Sequence, residues 1–78
     1  MDVKLTVGTT FWYQERKYHV VAVVVDGDEL IYVLKYFGLH KQWWHYEVME
    51  HQRFEIVLDC HLVKELKIKR IEKEEDIL

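Results

Sequence analysis

The chain predicts a small all-β domain: a strongly curved antiparallel sheet or small barrel with a short C-terminal extension. Three observations predict it. Two long β-rich runs, Tyr18 to Val25 and Leu30 to Phe37, are joined by Asp26-Gly27, a pair suited to the positive backbone angles of a tight primed turn. Two further runs, Gln42 to Met49 and Arg53 to Asp59, alternate apolar and polar residues with the period of a half-buried strand. All of this falls within 78 residues, near the size at which one hydrophobic core just offsets chain entropy, so a second domain is excluded.

In order along the chain, Val3, Leu5 and Val7 alternate with polar residues ahead of Gly8, Thr9 and Thr10, which suits a short strand or extended arm ending in a turn. Phe11 to Gln14 reads as extended, and Gln14 to Lys17 as a tight turn. In the first long strand Tyr18, Val20, Ala22 and Val24 share one face, with His19, Val21, Val23 and Val25 on the other, so both faces are apolar and both need cover. The return strand sets Leu30, Tyr32, Leu34 and Tyr36 against Ile31, Val33, Lys35 and Phe37 and ends at Gly38. The third run places Trp44, Tyr46 and Val48 toward the core and leaves Trp43 and His45 outward. In the fourth, Phe54, Ile56 and Leu58 alternate with Arg53, Glu55, Val57 and Asp59 as a half-buried strand. Between Leu62 and Arg70 the pattern suits either a helical turn or a turn followed by a short strand, and the strand is preferred. The domain is expected to span residues 1–71, with 72–78 a charged tail.

The run VGTTFWYQERKYHVVAVVVDGDELIYVL resembles the opening of SH3-like small barrels. There a glycine-containing turn leads to a first strand, a polar loop and a strand of the type Tyr-x-Val-x-x-Val. Gly8, Tyr18, Val20 and Val23 carry the match, which covers the first half of the chain. The resemblance implies a binding module, since that group includes peptide, methyl-lysine and nucleic-acid binders. The acidic loops and Ala-Leu-Tyr-like segment of proline-peptide SH3 domains have no counterpart here.

Composition narrows the chemistry. Half the residues are hydrophobic and 14% aromatic, which is core-forming. The single cysteine, Cys60, excludes an intrachain disulfide and suits a reducing compartment. The N-terminal residues lack the basic flank and apolar run of a secretion signal, no window has the length of a membrane span, and a soluble, cytoplasmic protein is expected. Serine, asparagine and proline are absent, which removes a serine nucleophile. Gly8, Gly27 and Gly38 are too scattered to form a phosphate loop. The formal charge of -3 disfavours a general nucleic-acid binder.

The aromatic residues Phe11, Trp12, Tyr13, Tyr32, Tyr36, Phe37, Trp43, Trp44 and Tyr46 supply the main candidate surface, because aromatic rings offer large contact area at low entropic cost. With Phe11, Tyr13, Trp44 and Tyr46 turned inward, Trp12 and Trp43 remain, and with His45 they form the expected protein- or peptide-binding patch of a non-catalytic module. The runner-up is nucleic-acid binding, with aromatics stacking on bases and Lys64, Lys67, Lys69 and Arg70 on phosphates. A small metal protein built on Cys60 and the five histidines ranks last. His40 and His45 stand five apart, Cys60 and His61 are adjacent, and no paired ligand motif anchors a site, so no metal and no cofactor are expected. Asp59, Cys60 and His61 place a nucleophile beside a base, but neighbours on an extended chain point to opposite faces, and Cys60 reads as a small buried residue. Glu47, Glu50 and Glu55, like Asp26, Asp28 and Glu29, read as solvated carboxylates without acid-base chemistry. If the sheet stays open, the two-sided valine strand leaves an apolar patch that a symmetric homodimer would cover.

Overall fold

The computed structural model describes residues 3–70. The chain forms β1 (Thr10–Tyr13), β2 (Arg16–Asp26), β3 (Glu29–Gly38), β4 (Trp43–Glu50), α1 (His51–Asp59) and β5 (Lys64–Lys67). All five strands lie in one antiparallel sheet of order β4-β3-β2-β1-β5. The protein is of the all-β class. Among the described residues β4 and β5 make no contact, so both are free edges. The charged segment 72–78 lies outside the described residues.

The core occupies one face of the sheet and is closed by α1. Phe11, Tyr13, Tyr18, Val20, Tyr32 and Leu34 point to this side and meet Phe54 and Val57 from the helix and Leu5 from the N-terminal arm. Phe11 stacks on Tyr18 at 5.5 Å between ring centroids and meets the Phe54 ring edge-on at 5.4 Å. The arm from Val3 to Val7 forms no ladder strand. It is tied down by the Leu5 N–H, which donates to Tyr32 Oη at 3.1 Å, and by a turn closed from Thr9 N–H to Thr6 O at 3.0 Å. Gly8, at φ +97, supplies the left-handed position that this turn requires.

Five expectations need correction. The segment Arg53 to Asp59 is not a strand: it lies in α1, where Phe54 and Val57 are buried and Leu58 half-buried at helical spacing, while Ile56 is exposed. An apolar run this short satisfies both periods, and the need to cover Phe11 and Tyr32 selects the helix. In β2 the register shifts between Val20 and Ala22, so the extra residue switches parity and Val23, not Ala22, pairs with core-facing Tyr32. The hairpin turn also sits one residue later than Asp26-Gly27 suggests. Asp26 pairs with Glu29, and Gly27 alone of the two central residues has positive φ, the pattern of a type II′ turn.

The fourth correction concerns β4. Trp44, Tyr46 and Val48 pair with Phe37, Lys35 and Val33 on the face away from α1 and are exposed; the positions on the α1 side go to half-buried His45 and Met49 and to Glu47, which stays exposed. The two polar residues are partnered. His45 stacks on Tyr36 at 5.3 Å, and Tyr18 donates to Glu47 Oε1 at 3.2 Å. Arg16 bridges the same group, 3.6 Å from Glu47 Oε2 and 4.5 Å over the Tyr36 ring. Burial pushes the Tyr18 phenol above its ordinary 10.0. The strand's binary pattern is inverted.

The helix ends in a Schellman motif. Leu62 N–H donates to Val57 O and His61 N–H to Leu58 O, each at 3.0 Å, with His61 in the left-handed region at φ 62. Asp59, Cys60 and His61 thus form a helix terminus, and Cys60 is exposed rather than buried.

Candidate functional site on the open sheet face

The inverted strand and the parity switch in β2 give the sheet a second apolar face, turned away from α1. Across all five strands the pairing aligns Lys67, Thr10, His19, Lys35 and Tyr46 in one row. One pleat further toward the β3–β4 loop, Lys64, Trp12 and Lys17 align, and the pair Phe37 and Trp44 continues them. Directly opposed residues share a face, so these rows form one surface. Toward the β2–β3 hairpin the same face carries Ala22, Val24, Ile31, Val33 and Val48, then Asp26, Glu29 and Glu50.

The exposure of this surface is substantial. Trp12 and Trp44 are each 38% accessible, Phe37 is 44%, Tyr46 is 64% and Val48 is 67%. The rings are ordered against one another. Trp44 meets Phe37 and His19 edge-on, at 5.4 and 5.7 Å, and Lys35 Nζ stands 4.5 Å from the Trp44 ring centroid. Burial lowers the pKa of His19, and Lys17 and Lys35 push it in the same direction. All three influences favour the neutral imidazole.

The residues expected from the sequence are divided by the sheet. Trp12 belongs to the open face, whereas Trp43 is paired with Gly38, on the parity of His45, and is 72% exposed beyond the helix. Trp12 and His45, on strands separated by β2 and β3, both line a cleft of about 590 Å³ at the end of the sheet, with Arg16, Lys17, His19 and Phe37; Trp43 does not line it. The structure adds Phe37, Trp44 and Tyr46, which the sequence assigned to the core or left unplaced. Their signal was present in the pairing of two aromatic strands, but only the register sets their side.

Of the basic segment, Lys64 and Lys67 flank Trp12 and Thr10 on the open face. Lys69 and Arg70 follow the strand, and the Lys69 side chain packs on Gly8. A second cleft, of about 470 Å³ at the hairpin end, is lined by Asp28, Glu29, Glu50, Glu55 and His51 together with Lys4. His51 is engaged there: its Nδ1 lies 2.8 Å from Tyr32 Oη and its Nε2 3.3 Å from Glu55. Among the described residues no three of His, Cys, Asp and Glu converge as metal ligands, and no helix is long and apolar enough to cross a membrane. No family model, curated protein or solved structure matches the chain.

Proposed function

We propose that this domain is a non-catalytic binding module that takes a macromolecular ligand on the open sheet face. The observation that carries the reading is the inversion of β4, which turns Trp44, Tyr46 and Val48 to solvent on the open face while half-buried His45 and exposed Glu47 take the positions on the α1 side. A strand built only for stability places its large apolar residues inward, since burying a side chain of that size contributes about 1.5 to 3 kcal/mol. Four strands here present aromatic and aliphatic side chains to solvent, an apolar surface of the kind that marks interaction sites. It is open and spans the sheet, which suits a chain-like or flat partner better than a small substrate. The resemblance of the first half to SH3-like barrels points the same way, because that group includes many binding modules.

The test is a double variant, Trp12→Ala with Trp44→Ala, immobilised beside the unaltered protein and exposed to a native cell extract. Loss of captured macromolecules, with far-UV circular dichroism and melting temperature retained, is expected. Capture that is unchanged in the double variant refutes the assignment.

A further inference from the structure

The open face is polarised, and its polarity names a class of ligand. Its four lysines, Lys17, Lys35, Lys64 and Lys67, all lie in the half that carries Trp12, Phe37, Trp44 and Tyr46, while Asp26, Glu29 and Glu50 lie at the hairpin end. Within the basic half, lysines are interspersed with rings in both rows, Lys67 and Lys35 beside His19 and Tyr46 and Lys64 and Lys17 on either side of Trp12, instead of forming a charged rim around an apolar centre. That arrangement suits a ligand offering both flat apolar surfaces and negative charges at short intervals. Bases and phosphates alternate in this way on a single strand.

Resting on the binding-module reading, we propose that the basic half of this face binds single-stranded nucleic acid, with Trp12, Trp44 and Phe37 as stacking platforms and Lys17, Lys64 and Lys67 on the phosphates. Five strands at roughly 4.8 Å spacing give a path of about 19 Å, room for about four nucleotides. The acidic charge of the whole chain does not oppose this. Between Val3 and Arg70 there are ten Lys and Arg against nine Asp and Glu; Asp2, Glu72, Glu74, Glu75 and Asp76, with Lys73, account for the rest of the formal -3. The body is close to neutral, and its charges are sorted by position. Two carboxylates, Glu15 in the β1–β2 turn and Glu65 in the β5 irregularity, line a cleft beside Trp12 and Lys64.

Two other occupants fit less well. A second copy packed face to face would place Lys17 and Lys35 inside the interface, where charged groups are depleted and costly to desolvate. Lys35 stands among His19, Trp44 and Tyr46, in the interior of the aromatic area. An acidic protein segment would satisfy the lysines but leave the ring faces without flat partners.

The experiment is fluorescence anisotropy of the full chain with a labelled twelve-nucleotide oligothymidylate, its duplex with oligoadenylate, and an oligoglutamate peptide, between 25 and 200 mM salt. Binding of the single strand is expected, tighter than that of the duplex or peptide, with an affinity that falls by about 0.7 log units per log unit of salt for each phosphate held. Trp12→Ala and Trp44→Ala should each weaken it about five- to a hundredfold, the loss of one stacked base. Lys17→Gln with Lys64→Gln and Lys67→Gln, which removes no apolar packing, should flatten the salt dependence by about 2. Absence of single-strand binding at 100 μM protein and 25 mM salt, tighter binding of the peptide, or a stable dimer that protects Trp12 and Trp44 from solvent quenchers each overturns the inference. If capture from extract still depends on Trp12 and Trp44 while oligonucleotides fail, only the choice of ligand falls and the binding-module reading stands.

Discussion

Replacing Thr9 by valine should destabilise the domain far more than its unchanged volume suggests. Thr9 is fully buried, and its hydroxyl ties the Thr6 to Thr9 turn to Lys69, sixty residues further along the chain. Oγ1 accepts the Thr6 N–H at 3.3 Å and the Lys69 N–H at 3.2 Å, and it lies 3.2 Å from Thr6 Oγ1. Because the Thr6 hydroxyl donates to Lys69 O, the Thr9 hydroxyl donates to Thr6, and all its capacity is used. Valine keeps the shape but leaves two part-buried N–H donors and a hydroxyl without their partner. At about 1 to 2 kcal/mol for each of these part-buried donors, the lower half of the usual cost, the expected loss is about 2 to 4 kcal/mol. In a domain of this size that lowers the melting temperature by about 8 to 30 °C. Thr9→Ser is the control: it keeps the hydroxyl and removes one methyl, a loss of about 1 kcal/mol. Urea unfolding followed by tryptophan fluorescence gives both values. If Thr9→Val lies within about 0.5 kcal/mol of the unaltered protein, or if Thr9→Ser is the worse of the two, the hydroxyl is not what fastens the arm and the C-terminal strand.

Two further outcomes follow from the backbone and the charges. His61→Gly should raise stability by about 1 kcal/mol, because His61 holds the left-handed position of the Schellman motif at φ 62, where a Cβ is strained; a fall in the urea midpoint would count against that cap. His19 is shifted below its ordinary 6.5 by burial and then by Lys17 and Lys35, so the unfolded chain takes up that proton first as pH falls. Stability from this group is therefore full above about pH 6.5 and declines as pH drops toward the folded value, where the decline levels off. Melting temperatures at pH 7.5 and 5.5 should accordingly differ less in His19→Gln than in the unaltered protein, and equal differences would remove His19 from the account.

The residues that set the class were local ones. Alternation in Tyr18 to Phe37 and the Gly27 turn specify a hairpin whatever surrounds it, because strand pairing and turn geometry depend on neighbours in sequence. The buried positions of Phe11, Tyr13, Tyr18 and Tyr32 follow from the same alternation. The exposed placement of Trp12 was legible too, as the residue between two buried rings. Phe54 to Leu58 was not legible, since the run is short enough to fit both periods and the choice rests on which shape covers Phe11 and Tyr32.

The open face itself came from register, which sequence encodes only weakly. One extra residue near Val21 reverses the sides of the β2 valines, and the pairing of Gly38 with Trp43 fixes β4 so that Trp44 and Tyr46 turn outward. Side chains in a strand alternate with period two, so a single step moves every residue to the other face. Composition and pattern thus determined that this chain makes a small sheet rich in aromatic residues. Which of those residues meet solvent beside the lysines was decided in three dimensions, where α1 could cover only one face.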